Sequence, residues 1–126
     1  CTKSALGTKL FLSFALKGED AMTAFIEHSF QQARHLYTYL NSLEDFYCPY
    51  PPESNILCFQ FRPDRLSDQD QLALRYELIN SGAFYITSCE FQGKRFLRTV
   101  LMNPETKQQD FIELANAITK IGDQIQ

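Results

Sequence analysis

No apolar run in this sequence is long enough to cross a bilayer. The longest, Leu10 to Leu16, contains Ser13 and ends at Lys17, far short of the roughly 20 residues a spanning helix needs. No stripe of Lys and Arg occurs and the net charge is −3, which argues against binding a nucleic-acid backbone. There is no GxGxxG, Walker, GxSxG or HExxH sequence, so the common nucleotide, hydrolase and zinc-protease signatures are excluded. Four cysteines, Cys1, Cys48, Cys58 and Cys89, stand in no CxxC or Cys/His spacing, which argues against zinc. The two histidines, His28 and His35, lie seven residues apart on a helical stretch. That is about 10 Å along the axis, too far to chelate one ion. No internal repeat, low-complexity tract or flexible linker is visible.

What remains is an ordinary globular composition, 44% hydrophobic and 21% charged over 126 residues, enough for one sizeable core. The chain starts at Cys1, without Met or a signal peptide, and runs at once into an apolar segment; it is expected to be cut from a longer protein. Cys58 and Cys89 fall inside strand patterns among apolar residues and are expected to be buried free thiols in a reducing, cytoplasmic compartment.

Leu6 to Lys17 is apolar without a decisive period, and Gly18 stops it. From Glu19 to about Leu43, apolar residues (Met22, Phe25, Ile26, Ala33, Leu36, Tyr37, Leu40) recur every three or four positions, predicting a helix. Its length, nearly 40 Å, suggests a flanking or linking element. Phe46 to Glu53, with Pro49, Pro51 and Pro52, reads as an extended loop. Asn55 to Arg62 is a strand with Leu57, Phe59 and Phe61 on one face and Ile56, Cys58 and Gln60 on the other. Ser67 caps a helix that carries Asp68 and Asp70 in its first turn and presents Leu72, Tyr76 and Ile79 to the core, with Gly82 beyond its end. Ala83 to Phe91 and Lys94 to Met102 form a hairpin about Gln92-Gly93. Thr106 and Gln109 have capping-box spacing before a last helix with Phe111, Leu114, Ala115, Ile118 and Ile121 on one side, ended by Gly122. The order β-α-β-β-α predicts an α+β fold, a small antiparallel sheet with helices packed on it.

One residue in this pattern asks for a partner. Arg98 shares a strand face with Phe96, Val100 and Met102, and both faces are apolar enough to predict a strand covered on both sides. A guanidinium there needs an anion. A carboxylate of this chain and an anionic ligand both remain open. The other polar candidates have plain structural readings. His28 and His35 belong to a solvated face, Asp68 and Asp70 to a helix start, Tyr85 and Thr87 to cross-strand packing, and Lys94 and Arg95 to an exposed turn.

The wording of the chain resembles a known group. Cys1-Thr2-Lys3, then Thr8-Lys9-Leu10-Phe11-Leu12 closing at Lys17-Gly18, then Ala33-Arg34-His35-Leu36-Tyr37, Asn55-Ile56-Leu57-Cys58-Phe59, Asn80-Ser81-Gly82, Phe96-Leu97-Arg98 and Asn103-Pro104 follow the order of the C-terminal portion of the group II pyridoxal-phosphate-dependent amino-acid decarboxylases. That family includes the glutamate, aromatic-amino-acid, cysteine-sulfinate and diaminobutyrate enzymes. The resemblance implies the C-terminal small domain of an aspartate-aminotransferase-like (fold type I) enzyme, with residues 1–50 a helical segment linking to a large domain and residues 51–126 the small domain. It makes the stretch from Leu6 helical. It implies pyridoxal 5′-phosphate held by the large domain, an amino-acid substrate and a homodimer with active sites at the subunit interface. In glutamate-specific members the arginine matching Arg98 holds a substrate carboxylate. The family's His-Lys cofactor pair does not occur in this chain, nor do the stacking histidine and the aspartate that pairs with the pyridine nitrogen, so no catalytic or cofactor-binding residue is expected here. Leu6 replaces a common Asp, Phe11 a common Trp, and the loop from Pro63 to Ser67 is short, as in a divergent, bacterial-type member. The competing expectations are a free-standing α+β binding module and a decarboxylase-like pseudoenzyme.

Overall fold

The computed structural model describes residues 5–125; the Cys1-Thr2-Lys3 motif lies outside them. Helix α1 (Leu6–Asn41) is broken at Gly18, whose φ of 79° and ψ of 170° no helix tolerates, and resumes at once. Glycine can take that backbone shape without a Cβ clash. Strands β1 (Phe46–Tyr47) and β2 (Ile56–Phe61), helix α2 (Asp68–Asn80), strands β3 (Thr87–Phe91) and β4 (Lys94–Val100), and helix α3 (Gln108–Ile125) follow. The four strands form an antiparallel sheet in the order β1-β2-β4-β3. The expected α+β class and the central place of the Arg98 strand hold.

One face of the sheet makes the core. Leu57, Phe59, Phe61 and Leu97 are buried together with Leu36 and Leu40 of α1, Leu74 and Leu78 of α2, and Phe111, Leu114 and Ile118 of α3. All three helices therefore contribute to a single cluster. Full burial of a side chain the size of Phe59 or Leu97 contributes about 1.5–3 kcal/mol. The hairpin is as expected: Gln92 and Gly93 both have positive φ, the signature of a two-residue type I′ turn, and Phe91 faces Lys94 across it.

Several expectations are corrected. Phe46 and Tyr47 are not loop but a short edge strand paired with Phe61 and Gln60; the prolines that follow end it and mask it in the sequence. In α2 the buried face is Gln71, Leu74 and Leu78, not Leu72, Tyr76 and Ile79, and Tyr76 is exposed. The cause is Gln71. Its amide accepts from the Phe61 N–H (3.2 Å) and donates to the Phe61 carbonyl (2.6 Å), so a polar side chain occupies the core-facing position. Before α3 the expected Thr106–Gln109 box does not form. Asp110 accepts from the Lys107 N–H instead (2.7 Å), while the amide of Gln109 donates to Glu113.

Gly122 does not end α3; it is buried inside the helix. A Cβ at this position would overlap the Cε1 and Cδ1 atoms of Phe61. That ring is fully buried and packs edge-on to Phe46 at 5.2 Å, so it has nowhere to swing. Gly122→Ala is therefore expected to cost about 1–3 kcal/mol by overpacking, outweighing the roughly 0.5–1 kcal/mol that alanine gains over glycine in a helix. Urea unfolding of the two chains measures it, and a variant as stable as the parent would mean the ring moves freely.

Arg62, in a left-handed backbone conformation (φ 43°), closes the far end of the sheet. Its guanidinium donates to Asp45 (2.7 Å) and Asp123 (2.6 Å), tying the turn before β1 to the end of α3. The Arg62 hydrogen bond holds the Asp45 carboxyl below its ordinary range.

The opposite face of the sheet corrects the expectation of cover on both sides. Among the described residues no helix packs on it, and Ile56, Val100 and Met102 are exposed.

Candidate functional site

The open face carries the residues with chemistry. From β2 come Cys58 and Gln60, from β3 Thr87 and Cys89, from β4 Phe96 and Arg98. Register sets their neighbours: Cys58, Arg98 and Thr87 form one row across three strands, and Cys89 faces Phe96.

Arg98 is half-buried in this row. Among the described residues it forms no salt bridge; the ion pairs there belong to Arg62 and Arg95. Of the two partners the sequence left open, a carboxylate of the described residues does not meet Arg98. Its Nε donates to Thr87 Oγ1 at 2.9 Å, and that hydroxyl donates onward to the Arg98 carbonyl at 3.2 Å. Thr87 thereby fixes the guanidinium by its Nε edge and leaves the terminal Nη1/Nη2 fork for another partner. A planar fork with two parallel N–H groups is matched to a carboxylate or phosphate. Thr87, read from sequence as cross-strand packing, does pack across the strands; its hydrogen bond to Arg98 was the missed part.

Beside this row runs a groove of about 660 Å³, roofed by the Tyr50–Ser54 loop and floored by Cys58, Cys89 and Phe96. Tyr50 packs edge-on to Phe91 at 5.4 Å and tilts over Phe96. Arg98 does not line the groove, whereas its register partner Cys58 does. The Cys58 and Cys89 sulfurs are 3.6 Å apart. Burial, then the bond from Cys89, pushes the Cys58 thiol up to about 11. Cys48, in the core, is pushed up by burial to about 12. Cys48, Cys58 and Cys89 are free; the expectation of free thiols at Cys58 and Cys89 is met, although these two are half-buried rather than enclosed.

The other sequence candidates take structural places. Asp70 completes a capping box with Ser67. Asp68 accepts from the Arg95 N–H (2.9 Å), anchoring α2 to the hairpin. Arg95 pairs with Glu90, and Tyr85 is exposed. His28 meets the amide of Gln32, and His35 is exposed. Among the described residues no cluster of three or more His, Cys, Asp or Glu could hold a metal. The described lysines, Lys9, Lys17, Lys94, Lys107 and Lys120, are all exposed. None stands in an enclosed site where a pyridoxal carbonyl would be captured, so these residues do not fit the lysine-held cofactor. No described helix is long and apolar enough to cross a membrane.

The first part of α1 presents a second kind of surface. Leu6, Leu10, Phe11 and Leu16 are exposed, Leu16 by 82%. Phe25 and Ile26, part of the apolar pattern that predicted this helix, are also exposed; full burial in the helix begins at Ser29.

No family model matches the chain. It is 22% identical over 122 residues to an aromatic-L-amino-acid decarboxylase of Bacillus atrophaeus, covering 93% of this chain and 25% of that protein. The glutamate decarboxylase domain of the diaminobutyrate-pyruvate transaminase and L-2,4-diaminobutyrate decarboxylase from Vibrio parahaemolyticus superposes with a TM-score of 0.84 at 20% identity, over 92% of this chain and 25% of that one. Oryza sativa TDC, solved with PLP and tryptamine, gives 0.81 at 16% identity, over 94% and 27%. The chain thus spans about a quarter of the length of these relatives and shares the fold of that quarter. The resemblance read from its motifs is met in both sequence similarity and fold.

Proposed function

We propose that this chain is the C-terminal part of a pyridoxal-phosphate-dependent L-amino-acid decarboxylase, a carboxy-lyase that converts an amino acid to an amine and CO₂, and that Arg98 holds a substrate carboxylate. The observation that carries the reading is the state of Arg98. It stands on the open face of a decarboxylase-like fold, steered by Thr87, with its fork facing no carboxylate of the described residues. The cofactor supplies the electron sink for loss of CO₂ when bound. This chain's contribution is binding and orientation: a fork held at Nε grips the carboxylate in one plane and fixes the substrate relative to the rest of the site.

In this reading residues 1–50 link to a large domain that carries the cofactor and residues 51–126 are the small domain. The large domain also covers the apolar start of α1, since a patch built from Leu6, Leu10, Phe11 and Leu16 is costly to leave in water. The complete protein is a cytoplasmic homodimer, and the 126-residue chain alone is inactive.

The test is an absorbance spectrum of the protein made from the whole reading frame, before and after borohydride. A visible band that reduction fixes to the polypeptide, with CO₂ released from an amino acid, is the expected result. A reading frame that begins near Cys1, or no band with added pyridoxal phosphate, overturns the enzyme and leaves an anion-binding module. A band without CO₂ release from any amino acid marks a pseudoenzyme.

A further inference from the structure

The thiol pair in the groove is used by nothing proposed above, and its geometry is specific. Cys58 lies on β2 and Cys89 on β3, with β4 between them. Strands flanking a third are about 9.5 Å apart, two inter-strand spacings, whereas a disulfide needs its Cα atoms within about 7 Å. The backbone therefore opposes oxidation to a disulfide, yet the side chains lean over β4 until the sulfurs are 3.6 Å apart. Two thiolates sharing one tetrahedral zinc ion at about 2.3 Å stand at nearly this separation, about 3.8 Å. Zinc itself needs four ligands, and among the described residues no third metal-ligating side chain joins the pair. The spacing suits a centre satisfied by two sulfurs. Tyr50, Phe91 and Phe96 line the same groove and offer an aromatic wall to whatever that centre carries.

We infer that Cys58 and Cys89 form a two-sulfur clamp for a thiophilic centre bearing an aromatic group, of which an aryl arsenic(III) compound is the fitting case. Arsenic(III) is pyramidal, keeps one bond to its aryl carbon and takes two sulfurs. In the reaction two S–H bonds break and two S–As bonds form. The arsenic-bound oxygen leaves as water with both protons, and arsenic stays in the trivalent state, so no oxidant or reductant is required. The aryl ring lies in the groove between the loop and the sheet. The inference stands independently of the decarboxylase reading.

The experiment uses phenylarsine oxide on the chain, followed by intact-mass spectrometry and by peptide mapping of the adduct. One arsenical per chain is expected. It should resist excess mercaptoethanol, be released by dimercaptopropanol, and bridge the peptides containing Cys58 and Cys89. C58S and C89S should each weaken retention by about 10²–10⁴-fold, the advantage lost when the second bond is no longer intramolecular. C1S and C48S should retain the adduct unchanged. Release by the monothiol, or a bridge to any other cysteine, overturns the inference. Peptide mapping on the parent chain decides the matter even where a serine variant fails to fold.

Discussion

Replacing Gln71 with leucine is expected to destabilise the chain by about 2–4 kcal/mol, although the new side chain is apolar, similar in size and placed in the core. Gln71 is fully buried. Both ends of its amide are committed to one residue, accepting from the Phe61 N–H and donating to the Phe61 carbonyl. The β2–β4 register runs from Ile56↔Val100 to Phe59↔Leu97, and beyond it, at Phe61, a helix side chain meets the backbone of β2. Leucine fills the volume but leaves two buried backbone groups unpaired, each costing about 1–3 kcal/mol. Because little cavity is made, the loss isolates the hydrogen bonds. Urea unfolding, with an unchanged slope and a lower midpoint, is the measurement. A change within about 0.5 kcal/mol, the range of an ordinary surface substitution, would show that Phe61 finds other partners and that Gln71 is passive.

Gln71 also shows where sequence reasoning stops. Apolar periodicity placed Leu72, Tyr76 and Ile79 inward because a glutamine does not count in an apolar pattern; the bond that reverses the helix face is non-local. The same holds at Gly122, read as a helix stop because its contact is a ring 61 positions earlier. Local signals fared better. The Gln92-Gly93 turn, the Ser67 cap and the alternation in β2 each depend on residues within a few positions, and each is found as expected. The reading of β4 as covered on both faces failed for a different reason. Val100 and Met102 are apolar, and an alternating pattern records which face is apolar, not whether this chain supplies the cover.

The site divides along the same line. Arg98 was visible as a charge in an apolar row. Thr87 was within reach as well, since counting back from the two-residue turn puts Thr87 opposite Arg98. The thiol pair was not, because it depends on how β2 registers against β4 across a long connection.

That row yields the largest expected effect on activity. In the protein from the whole reading frame, Arg98→Ala should lower kcat/KM for decarboxylation by about 10²–10³-fold, leaving the visible cofactor band intact. Removing one member of a desolvated, hydrogen-bonded charge pair costs about 2–5 kcal/mol, and each 1.36 kcal/mol is a factor of ten. Arg98→Lys should recover only part of the loss, because a point charge cannot offer two parallel donors to a carboxylate. Thr87→Val keeps the β-branched shape and removes the oxygen that holds Nε at 2.9 Å. It should raise KM by about tenfold, the value of one hydrogen bond to a charged group. Thr87→Ser, which restores the hydroxyl, should bring it back. The combination discriminates between roles. If Arg98 merely stabilises the sheet, both Arg98 variants should melt earlier with kcat/KM unchanged, and Thr87→Val should do the same. If Arg98 grips the substrate, the kinetic losses should appear in variants that melt like the parent. They should also be ordered by how well each retains a fork held at Nε.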